Sequence, residues 1–149
     1  MKHQNPDELV QKAEILTSVD GLAKMSRRER LERWASALER HGGPLNALRQ
    51  IEYLSPEELR AYRAPGTPLT VAFADPVLRD EGLAGDRLGE AMDFFAMTEK
   101  DAHELLCDCH YYGAMTGAGL GRQVRRYARR GAFYAACKRA VYSLLGRSA

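Results

Sequence analysis

Four stretches of this chain repeat one signal, a side chain able to cap a helix followed three residues later by an acid. They are NPDE at Asn5 to Glu8, SRRE at Ser26 to Glu29, SPEE at Ser55 to Glu58 and TEKD at Thr98 to Asp101. In each, the first side chain can accept from an unpaired amide of the first helical turn, while the acid reaches back to the capping residue's own N–H. A chain punctuated this way is committed to short helices joined by turns. Pro6 strengthens the first of these starts, because a first-turn proline gives up an N–H that has no intrahelical partner.

The apolar spacing supports the same class. The helix opened by Ser26 runs through Leu31, Trp34 and Leu38 to about Arg40, where HGGP stops it, and these three apolar residues are expected in the core. A short helix through Leu59 and Tyr62 follows Ser55, and another is expected over 45–54. The run LTVAFADPVL at 69–78 suits either a strand or a helix broken at Pro76; a lone strand has nothing to pair with, so helix is preferred. Segment 85–97 sets Leu88, Met92 and Phe95 on one side, and Thr116 can cap a helix with Leu120, Val124, Tyr127 and Ala128 as its apolar face. Residues 132–146 place Phe133, Cys137, Val141, Leu144 and Leu145 at helical spacing, with Gly131 either bending or dividing the two segments. The expectation is an all-α single domain over 1–149, a compact array of six to eight short helices without a linker.

The net charge of +2 conceals a division along the chain. No acid follows Asp108, and residues 109–149 hold eight cations, leaving 14 cations against 20 acids upstream. Five of the eight, Arg122, Arg125, Arg126, Arg129 and Arg130, would share the polar side of one helix. Guanidinium groups pair with phosphate and carboxylate, so this stripe suits an acidic protein surface or nucleic acid. The alternatives are an ordinary solvated face, or neutralisation by the acidic part of the same chain or of a second copy in a homo-oligomer. No zinc-finger, RRM or KH signature accompanies the stripe. The glycine-rich start TGAGLGR lacks both the Gly-Lys-Ser/Thr ending and the preceding strand of a nucleotide loop, so Gly113, Gly117 and Gly121 are expected to serve turns or close backbone approach.

The densest chemistry is HELLCDCHYYG at His103 to Gly113, with two of the three cysteines and two of the four histidines. If one helix runs from Thr98 through this stretch, His103, Cys107 and His110 share a face, a zinc-compatible set, while Cys109 points elsewhere. HELLC resembles the zincin pattern of two histidines four apart with a glutamate beside the first, but Cys107 stands where the second histidine belongs and nothing else in the chain supports a protease. A thiol reading would pair Cys107 with His103 or His110. The preferred reading is packing: Ala102, Leu105, Leu106 and Cys109 form the apolar side, the His103, Cys107 and His110 stripe borders the core, and no ligand or cofactor is bound.

The start MKHQNPDE has no apolar run of the kind a secretory leader needs, and no apolar stretch approaches the roughly 18 residues of a spanning helix. With an odd cysteine count, the expected setting is a reducing cytoplasm.

Overall fold

The computed structural model of the protein describes residues 24–112 and 114–145. The cap at Asn5 and the turn at Gly113 lie outside the described residues. Seven α-helices are found among them: α1 (Arg27–Arg40), α2 (Pro56–Ala61), α3 (Pro68–Ala74), α4 (Pro76–Asp80), α5 (Leu88–Phe95), α6 (Glu99–Leu106) and α7 (Gly117–Leu145). Three of the capping boxes close as expected, at Ser26, Ser55 and Thr98. Thr116 caps α7 through Gly119 N–H at 3.1 Å. The ambiguous run is helical and is broken at Pro76, where Asp75 accepts from Val77 and Leu78 N–H to restart the chain as α4. Among the described residues no helix is long and apolar enough to cross a membrane.

Two expectations need correction. The 45–54 segment is not a helix. Pro44–Leu45 (β1) pairs antiparallel with Met115–Thr116 (β2), Leu48 forms a parallel bridge to Cys107, and only Ile51–Tyr53 makes a single 3-10 turn. Leu45, Leu48 and Ile51 are all buried, so the segment gains its core contacts as an extended strap whose backbone groups pair outside it. Second, not all the helices are short: α7 runs 29 residues through Gly131 without a break. In the distal part of α7, Val141, Leu144 and Leu145 are 53%, 68% and 67% exposed.

The core forms where α1 lies antiparallel against the first half of α7. A Cβ on Gly117 would sit 2.0 Å from Leu38 O, and one on Gly121 would sit 2.9 Å from Ala35 O. Glycine at these two positions therefore lets the backbones touch, as the sequence suggested. Leu31, Trp34, Ala35 and Leu38 on α1 and Leu120, Val124 and Ala128 on α7 are buried in consequence. The Trp34 ring stacks on Phe95 at 4.7 Å, and its Nε1–H donates to Pro68 O at 3.0 Å, which ties α5 and α3 to α1. Trp34 is thus a core residue with its one polar atom satisfied.

Asp75 is the principal buried charge. Its carboxylate accepts from Arg33 Nε at 2.9 Å while capping α4. Burial pushes its pKa up, but Arg33 and the amides of Val77 and Leu78 outweigh that and leave it lowered.

Gly117→Ala should cost about 1–3 kcal/mol or more in urea unfolding, whereas Gly42→Ala, which faces open space, should stay within about 0.5 kcal/mol. Equal effects would contradict the close α1–α7 contact. Asp75→Ala should lose both cap and ion pair, about 2–4 kcal/mol. Asp75→Asn, which keeps an acceptor for the amides of α4, should lose measurably less.

Candidate functional site

HELLCDCHYYG does not continue as one helix. α6 ends at Leu106, Cys107 is extended (φ −68°, ψ 137°), and Asp108–His110 forms a 3-10 turn. The cause lies outside the segment. The Leu106 carbonyl, which a continuing helix would offer to His110, instead accepts from Leu48 N–H at 2.8 Å, and Asp108 N–H returns to Leu48 O at 3.0 Å. Gln50 N–H adds a bond to Asp108 Oδ1 at 3.1 Å from a left-handed backbone (φ 53°).

That break regroups the side chains. The single-helix stripe of His103, Cys107 and His110 is replaced by a cluster of Glu52, His103, Cys107 and Cys109, whose donor atoms all lie within 4.8 Å of one another. Cys107 Sγ donates to Glu52 Oε2 at 3.1 Å, and Cys109 Sγ is 3.4 Å from His103 Nε2. His110 is near but differently placed: its Nε2 meets the other nitrogen of His103, Nδ1, at 3.3 Å, with the rings edge to face. Cys109, expected to point away, is a member, and it is exposed rather than core. Glu52 was not foreseen, because 51 residues separate it from His103 and it belongs to a segment read as helix.

Cys107 is fully buried and both cysteines are free thiols. Burial raises the Cys107 thiol above its ordinary range; the Cys109 amide opposes this, and the Glu52 carboxylate, which accepts the thiol proton, adds to the rise. A buried thiol facing a carboxylate is held in its protonated form. Tyr111, packed against the hydrophobic core, donates its hydroxyl to Leu105 O, and burial lifts its pKa to about 12.

The arginine stripe of α7 divides in two. Arg125 is drawn inward against α1: Nε and Nη2 donate to Glu39 at 3.0 and 2.8 Å, Nη2 also donates to Ser36 at 2.9 Å, and Nη1 meets Glu32. It therefore leaves the outward face on which the sequence placed it. Arg122, Arg126, Arg129 and Arg130 remain exposed. Among the described residues, none of these four forms an ion pair. Arg126 and Arg130 join Gln123 and Tyr127 in lining a cleft of about 270 Å³, to which α6 contributes Asp101, Glu104 and Leu105. Asp101 is occupied there by the Tyr127 hydroxyl at 2.7 Å. No protein-family model matches the chain, and no curated protein or solved structure matches it either.

The Arg125 hydrogen bond holds the Glu39 carboxyl below the usual carboxylate range. A lowered folded-state pKa contributes stability above the unfolded value, about 4.3, and loses it as pH falls through the folded one. Arg125→Gln should therefore cost about 1 kcal/mol at neutral pH, with the gap to the wild type narrowing below about pH 4. A gap independent of pH in acid titrations of the unfolding midpoint would contradict this account.

Proposed function

We propose that the protein is a binding domain that engages an anionic macromolecule, an acidic protein surface or a nucleic acid, through the outer edge of α7. The single observation behind this reading is the contrast among its arginines. The protein's own acids neutralise Arg125, while Arg122, Arg126, Arg129 and Arg130 are exposed and without an ion pair among the described residues. Arg122, Arg126 and Arg130 recur every four residues, which spaces their heads about 6 Å apart along the helix. α7 itself carries no carboxylate to compete for them. Guanidinium forks suit both carboxylate and phosphate, and a row of them attracts either polymer with a strong salt dependence.

Replacing these four arginines with glutamine together should weaken retention on heparin and on a single-stranded oligonucleotide. For the oligonucleotide, the log–log salt slope should fall by about 0.7 for each arginine that meets a phosphate. The exposed pair Arg28 and Arg49, changed in the same way, serves as the control. A polyglutamate column run in parallel distinguishes an acidic-protein preference. Retention unchanged on all three supports by the fourfold variant would end the reading.

A further inference from the structure

Independently of the arginine edge, we propose that Glu52, His103, Cys107 and Cys109 form a four-coordinate zinc site that fastens the Ile51–Tyr53 turn to the end of α6. The donor set is one carboxylate oxygen, one imidazole nitrogen and two sulfurs, a combination that favours zinc over the hard cations. Neighbouring ligand atoms around tetrahedral zinc lie about 3.3–3.8 Å apart. Two pairs already approach that spacing, Cys107–Glu52 at 3.1 Å and Cys109–His103 at 3.4 Å. The remaining pairs, all within 4.8 Å, need only side-chain adjustment.

The scaffold beneath the cluster does not depend on the ion. The paired backbone bonds between Leu48 and Leu106/Asp108, with the Gln50–Asp108 bond, hold both contributing segments in register. The ligands thus come from two chain segments already brought together, which is the preorganisation a tight site needs. His103 presents Nε2 toward Cys109 and is held at Nδ1 by His110. A ligating imidazole of this kind keeps its proton on Nδ1 and donates it to His110 Nε2, which makes His110 a positioning residue rather than a ligand. Uptake of Zn²⁺ replaces the two thiol protons, which pass to solvent. The ion joins two thiolates, a carboxylate and a neutral imidazole, with no change of oxidation state.

The test uses untagged full-length protein kept reduced, with metal content measured after purification and with Co²⁺ as a spectroscopic probe. The wild type is expected to hold one equivalent, and Co²⁺ should give thiolate charge-transfer absorption together with the visible bands of a tetrahedral site. Cys109→Ser and Glu52→Gln alter exposed side chains, so both should stay folded by circular dichroism. Cys109→Ser should lose stoichiometric binding and part of the charge-transfer band, and Glu52→Gln should weaken binding with the sulfur bands retained. His110→Gln should keep the spectrum while weakening affinity about 10–100-fold, and Cys137→Ser should change nothing. Folded wild-type protein that binds neither Zn²⁺ nor Co²⁺ stoichiometrically would overturn the site. Binding that survives Cys109→Ser but is abolished by His110→Gln would overturn the ligand assignment.

Discussion

Backbone contact between α1 and α7 organises this protein, and two glycines make it achievable. At Gly117 and Gly121 the helices approach until a methyl group would collide with a carbonyl of α1. Dispersion gains are largest at such short range, and the surrounding Leu31, Trp34, Leu38, Leu120 and Val124 are buried from water. Three further helices are arranged around that pair: α5 through the Trp34–Phe95 stack, α3 through the indole hydrogen bond, and α4 through Asp75 and Arg33.

The same axis sorts the arginines. Because α7 lies antiparallel to α1, Arg125 falls beside Glu32 and Glu39 and completes a partly shielded ion-pair network. Its neighbours at 122, 126, 129 and 130 stay exposed, Arg126 and Arg130 along the cleft that α7 forms with α6. Charge counting along the chain identifies an acidic part and a basic part, but says nothing about which individual cations the acids reach. That is decided by helix phase, which depends on the depth and direction of the glycine contact.

The cysteine and histidine cluster depends on a different interaction, the short backbone pairing of Leu48 with Leu106 and Asp108. By taking the Leu106 carbonyl it ends α6 four residues before His110. The rotation of the chain at Cys107 then brings Cys109 back over His103 and moves His110 to the far side of the imidazole. A local helical wheel cannot reproduce this, because the competing hydrogen-bond donor comes from a residue 58 positions upstream of Leu106.

Sequence alone determined the helical class, the capping boxes at Ser26, Ser55 and Thr98 and the core role of Trp34; it favoured a helix broken at Pro76 and narrowed Gly117 and Gly121 to turns or close backbone approach. All of these follow from interactions within a few residues or from the bare lack of a side chain. Tertiary structure decided the extended strap at Pro44–Leu48, the end of α6, the entry of Glu52 and Cys109 into the cluster, and the withdrawal of Arg125. Each of these turns on a partner distant in sequence, and a hydrogen bond or ion pair across such a gap is selected by the packing of the whole core rather than by the propensity of either segment.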